Sequence, residues 1–124
     1  MEKICLDFET ALDFLKGDPG TTEKLKYYAN TEELCITSMT MMQLLEVIKK
    51  QEVVGSFSNS VSILPFDKKS ALIANKIMKE IKGRGEIPKT KDSILIASIC
   101  IANDAFLFTR SPWKFEGIRG LRKV

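Results

Sequence analysis

Two aspartates stand where an α/β fold gathers reactive carboxylates. Asp7 closes a short apolar run, Ile4-Cys5-Leu6, and Asp92 opens the most apolar helical stretch of the chain, Ser93 to Ala102. Buried strands that end in acids, and buried helices that begin with them, bring carboxylates to one edge of a parallel sheet. The chain has no histidine, and its three cysteines form no CxxC pair. This excludes Ser-His-Asp and Cys-His catalysis, His-ligated zinc and any imidazole general base. Carboxylate oxygens without imidazole or thiolate suit a hard cation such as Mg²⁺ or Mn²⁺. The chemistry these residues point to is metal-dependent phosphodiester hydrolysis.

The elements that must position these acids alternate between strand and helix. Lys3 to Asp7 reads as a buried strand, and Glu9 to Lys16 as a helix with Ala11, Leu12, Phe14 and Leu15 apolar. Gly17-Asp18-Pro19-Gly20 is a turn, after which Thr21 or Thr22 caps a helix to about Tyr28. Glu33 to Thr37 is a second strand. Ser38 is the expected N-cap of a helix through Lys50, in which Met41, Leu44, Leu45 and Ile48 follow the i, i+3, i+4, i+7 spacing of a buried face. Gly55 to Ser60 reads as a polar connector and Val61 to Phe66 as a third strand. Asp67 caps a long amphipathic helix to about Lys82, ended by Gly83-Arg84-Gly85. Asp92 or Thr90 begins the apolar helix, Ala105 to Thr109 is a fourth strand, and Ile118 to Val124 is a short last strand or tail. This alternation predicts a parallel sheet covered on both faces, with Asp7, Ser38 and Arg110-Ser111 presented to one crevice.

At 124 residues and 44% hydrophobic, the chain suffices for one domain with a real core. It lacks an apolar stretch of the roughly 18 residues that a membrane span needs. The opening Met-Glu-Lys is not a secretory leader, so a cytoplasmic protein is the default expectation. Cys5, Cys35 and Cys100 lie inside apolar runs and read as buried thiols. Residues 1–50 carry nine acids and six bases, residues 51–124 seven acids and thirteen bases. The basic half reads either as a solvated helix face with a basic tail or as a footprint for phosphate backbone.

Four segments, in order and nearly end to end, resemble the PIN-domain family, and most closely its short VapC-type toxin ribonucleases. They are Ile4-Cys5-Leu6-Asp7, Ile36 to Leu45, Ile63-Leu64-Pro65-Phe66-Asp67, and Lys91 to Ala97 followed by Leu107 to Arg110 and Phe115 to Leu121. The resemblance implies a single PIN-like domain over residues 1–124, a three-layer α/β/α fold with a short central parallel sheet of about 4–5 strands. It implies an endoribonuclease that hydrolyses RNA with a carboxylate-held Mg²⁺ or Mn²⁺. It also implies a homodimer and a VapB-like antitoxin that places a peptide segment in the crevice.

Carried onto this chain, the resemblance makes Asp7 and Asp92 metal ligands. The family's second acid falls on Gln43, with Glu46 one helical turn further on. Glu9 or Glu46 is a candidate third ligand. Ser111 stands where the family offers Asp or Asn, and with Thr37 or Ser38 it would orient water or phosphate. Arg110, Lys114 and Lys91 would contact the RNA backbone. The segment between Lys50 and Val61 looks short for the family. Two other readings stay open. One is a degenerate PIN-like module that binds RNA or protein without catalysis, motivated by Gln43 and Ser111. The other is a different α/β domain, such as a receiver-like module, weakened by the isolation of Asp7 from other acids.

Overall fold

The computed structural model describes all 124 residues. Five parallel strands, β1 (Lys3–Leu6), β2 (Glu33–Thr37), β3 (Ser62–Leu64), β4 (Ala105–Phe108) and β5 (Arg122–Lys123), lie in the order β3-β2-β1-β4-β5. The central strand β1 pairs Leu6 with Ile36 on one side and with Phe108 on the other. The C-terminal ends of the three middle strands are therefore level, and the residues just beyond them meet at one edge.

Side-chain alternation along the strands divides the core. Ile4, Leu6 and Ile36 face α1 (Phe8–Leu15), α2 (Pro19–Thr31), α3 (Ser38–Val47) and α4 (Gln51–Ser60), where they pack with Ala11, Leu25, Leu44, Val54 and Phe57. Cys5, Cys35 and Leu107 face α6 (Lys91–Ala102) and pack with Ile96, Ile99 and Cys100. Outside α6 lies α5 (Lys68–Gly83), joined to it through Ala74, Ile77, Ile81 and Ile94. The expected three-layer α/β/α arrangement with a parallel sheet is thus present, with five strands. The three cysteines are buried and free. No helix is long and apolar enough to cross a membrane.

Five of the six helices start at an Asp or Thr whose side chain accepts the backbone N–H three residues on: Asp7, Asp18, Thr37, Asp67 and Thr90. Two of these differ from the expectation, and a third decides between two alternatives. Asp18, with Pro19 as the first helical residue, starts α2, so Thr21 donates its N–H to the cap instead of being one. Thr37 caps α3 through Thr40 at 3.1 Å, and Ser38 is the first helical residue. Thr90, not Asp92, caps α6.

The larger correction concerns Gly55 to Ser60, which is not a connector but the second half of α4. Helix α3 ends at Val47, and the Gln51 amide then donates to the Leu45 and Ile48 carbonyls at 3.0 Å each. Val54 and Phe57, three residues apart, bury one face of α4. The Ser58 and Ser60 hydroxyls donate back to the Gly55 and Phe57 carbonyls. These bonds satisfy the hydroxyls within the helix, while burial of Val54 and Phe57 offsets the weak helix propensity of the serines. The Lys50–Val61 segment therefore supplies a helix.

Candidate functional site

The level strand ends place Asp7 beside Thr109. Asp7 is 6% exposed, and both its carboxylate oxygens have partners within the fold. Oδ1 accepts the Thr10 N–H at 3.0 Å, which caps α1, and Oδ2 accepts the Thr109 hydroxyl. The Thr109 oxygen in turn accepts the Ser111 N–H at 3.0 Å. Asp7 is thereby held in one orientation by two elements far apart in the chain. Each carboxylate oxygen offers two lone pairs, so one on each remains free.

A cavity of about 140 Å³ opens beside Asp7, and Glu9, Gln43, Asp92 and Lys114 also line it. Asp92 reaches it from the first turn of α6, where it is exposed. Because Thr90 makes the cap, the Asp92 side chain is not consumed by it. The α6 N-terminus favours a negative charge at this position. Gln43 comes from α3, on the far side of β1 from Thr109. Phe8, Ile96 and Phe115 supply apolar wall.

Glu9 is engaged otherwise. Its Oε1 accepts from Lys114 Nζ at 2.8 Å and from the Ser111 hydroxyl at 3.0 Å, while Arg110 approaches Oε2 at 3.5 Å. The Lys114 ammonium above all, then the Ser111 hydroxyl and the Arg110 charge, hold the Glu9 carboxyl below its ordinary value, against the opposing effect of partial burial. Glu9 is thus ionised and neutralised by Lys114.

The cavity brings together Asp7, Asp92, Gln43, Glu9 and Lys114 of the residues singled out from the sequence. It does not include Glu46, which is exposed on α3, nor Lys91, exposed at the start of α6. Ser111 is buried and turned to Glu9. Arg110 is bound to Asp13 at 3.0 Å as well as to Glu9. Thr37 is buried and spent on capping α3. Thr109, which fixes Asp7, escaped the sequence reading; Thr90, which frees Asp92 and lines the cavity, was read only as a possible helix start. For Thr90 the signal was its place two residues before the acid. For Thr109 there was only its position after a strand.

No three of the Asp, Glu, Cys or His side chains are grouped closely enough to hold a metal ion on their own. What the cavity offers is a smaller oxygen set, two carboxylates free of ion pairs and an amide. Such a set fits a hard divalent cation whose remaining positions are taken by water or phosphate.

No family model matches the chain. Among curated proteins, the chain is similar to the ribonuclease VapC3 of Methanocaldococcus jannaschii, 34% identical over 95 residues that cover 76% of this chain and 94% of the relative. It is 26% identical to the tRNA(fMet)-specific endonuclease VapC of Salmonella typhimurium, over 98% of this chain and 96% of that one. Among solved structures, the VapBC2 complex of Rickettsia felis bound to a DNA fragment from its promoter contains a chain matched with a TM-score of 0.86 at 22% identity, over 98% of this chain and 97% of that one. DNA-bound VapBC of Salmonella typhimurium gives 0.86 at 24%, over 100% and 98%. These two likenesses establish the fold.

Proposed function

The chain belongs to the VapC family of PIN-domain proteins, and on that premise we propose that it is a divalent-metal-dependent endoribonuclease, with Mg²⁺ or Mn²⁺ as the ion and RNA as the substrate. The observation that carries this is the meeting of Asp7 and Asp92, from opposite halves of the chain, in one cavity that also holds a lysine. Asp7 and Asp92 would hold the ion, with the Gln43 amide oxygen beside them. A bound divalent cation supplies positive charge against phosphate oxygens and increases the acidity of an attacking water, so that no histidine base is required.

The protein's own part is orientation and charge. The Thr10 N–H and the Thr109 hydroxyl fix the Asp7 carboxylate, so its position does not have to be bought at each turnover. Lys114 brings an ammonium into the cavity, where it would meet a phosphate oxygen. Lys91 and the half-exposed Arg110 lie outside the cavity and would follow the RNA backbone. By analogy with the VapBC complexes, a VapB-like antitoxin is the proposed partner.

The test is cleavage of RNA by purified protein in Mg²⁺ or Mn²⁺. Cleavage should stop on chelation and in Asp7→Asn. The absence of a third unpaired carboxylate and the amide at Gln43 favour one other reading, an RNA-binding module without catalysis. RNA binding that weakens with salt but ignores chelation, with no cleavage, would establish that reading instead.

A further inference from the structure

We infer that the cavity takes a single divalent cation and that the Lys114 ammonium serves as its second positive charge, facing the scissile phosphate. The inference rests on the ribonuclease reading and specifies how its site is charged. Asp7, Glu9 and Asp92 bring three negative charges into the cavity and Lys114 brings one positive. The remaining two negative charges are what one divalent ion neutralises. A second ion would leave a surplus of positive charge with no carboxylate unpaired to receive it. Arg110 also approaches Glu9 Oε2 at 3.5 Å, but its closer partner is Asp13 at 3.0 Å and it does not line the cavity, so its charge is balanced outside it.

Geometry agrees with the charge count. Lys114 is held in place at both ends of its stem. Its Nζ lies 2.8 Å from Glu9 Oε1 and 5.4 Å from the Trp113 ring centroid. Its backbone N–H donates to the Ser111 carbonyl at 3.0 Å, within the short 3₁₀ turn Pro112–Phe115. Its side chain keeps 31% of its surface exposed, so donors remain for a ligand. An ammonium has three donors, and Glu9 uses one of them. Glu9 on this view is not a metal ligand. It holds Lys114 at the cavity wall, and Ser111 holds Glu9.

The readout that separates this role from a structural one is the direction of the metal effect. Losing a folding contact would weaken metal binding and cleavage together. Losing a fixed cation should strengthen metal binding while it weakens cleavage. We therefore expect calorimetric titration of the full chain with MnCl₂ to give one ion per chain. Lys114→Met should also bind one ion, roughly tenfold more tightly, from the Coulomb interaction of a unit charge with a divalent ion several ångströms away in a largely aqueous setting. The same variant should cleave RNA about 100-fold more slowly, the usual loss when one fixed charge-stabilising donor is removed. Lys114→Arg, which keeps the charge, should stay near wild type in metal affinity.

Two ions bound to the wild type, or Mn²⁺ binding no tighter in Lys114→Met, would overturn the inference and leave the ribonuclease reading standing. No metal bound and no RNA cleaved by the wild type would overturn both. One ion bound, with tighter binding in Lys114→Met but no cleavage by any form, would support the one-ion site and overturn the ribonuclease reading.

Discussion

Asp7 carries two duties at once, capping α1 and lining the cavity, and Asp7→Asn separates them. Asparagine caps a helix about as well as aspartate, so the bond from the Thr10 N–H at 3.0 Å survives through the amide oxygen. What changes is the bond from Thr109. The amide NH₂ now faces a hydroxyl that donated to a carboxylate, and that hydroxyl must turn to accept. A charge-assisted hydrogen bond is replaced by a neutral one, at a cost of about 1–2 kcal/mol. The unfolding entropy of a 124-residue chain is about 0.26 kcal/mol/K, so the melting temperature should fall by about 4–8 °C without metal. The metal effect is larger. Removing one of two free carboxylates forfeits about 2 kcal/mol even at the dielectric of water and a separation of about 4 Å, or roughly thirtyfold in affinity.

Thermal melts with and without MnCl₂ measure both duties. An ion at about 100 times its dissociation constant stabilises the folded state by about 2.7 kcal/mol, which for this chain is about 10 °C. Wild type should gain that shift, and Asp7→Asn at the same metal concentration should gain only a few degrees. An equal Mn²⁺ shift in both proteins would refute the assignment of Asp7 as a ligand. A loss above about 15 °C without metal would refute the claim that the cap survives.

Thr109→Val removes the hydroxyl that serves Asp7 and the Ser111 N–H together. It should cost about 2–4 kcal/mol in denaturant unfolding, more than Asp7→Asn, because two partners lose their bond. Gln43→Glu adds a third carboxylate free of ion pairs to the cavity and should tighten Mn²⁺ binding roughly tenfold by calorimetry. Acid should destabilise the fold through Glu9, Asp18 and Asp67, each held below its ordinary value, by Lys114 first in Glu9 and by the Thr21 and Ser70 N–H groups in the other two. Their contribution is full above the unfolded carboxylate value near 4 and is lost as pH falls through the lower folded values. Asp67→Asn keeps the cap and should flatten that part of a melting-temperature profile taken from about pH 6 to about pH 2.

The order of elements, the parallel sheet and the meeting of Asp7 with Asp92 were legible because they depend on local signals: apolar runs, turn residues, and acids at element ends. Helix α4 was not legible because its burial rests on two residues, Val54 and Phe57, in a segment whose glycine and serines argue for a loop. The serine hydroxyls bond back to the helix itself, and composition does not show which way they turn. The caps were legible as a class, and Asp67 to the residue, but not where candidates crowd together. In Thr37-Ser38 and in Asp18 to Thr22 several good caps adjoin, and the strand end or the proline decides among them. Thr109 was out of reach for a different reason. Its bond to Asp7 exists only because Leu6 and Phe108 are in register across β1 and β4, and register is a property of the assembled sheet.

The two aspartates differ in a way that bears on how the site works. Asp7 is nearly buried, with each oxygen bonded inside the fold. Asp92 is exposed on the first turn of α6 and takes no part in its cap. A carboxylate fixed before binding loses little conformational entropy when a ligand arrives, whereas a free one must be ordered at that moment. On the proposed reading, Asp7 would set where a cation sits, and Asp92 would adjust to it. The same asymmetry explains the place of Lys114, whose partner Glu9 rises from α1 two residues after Asp7. The fixed acid and the fixed base share one short helix as their foundation. A change that loosens α1 should then disturb cation binding and phosphate contact together, while one that loosens the start of α6 should disturb cation binding alone.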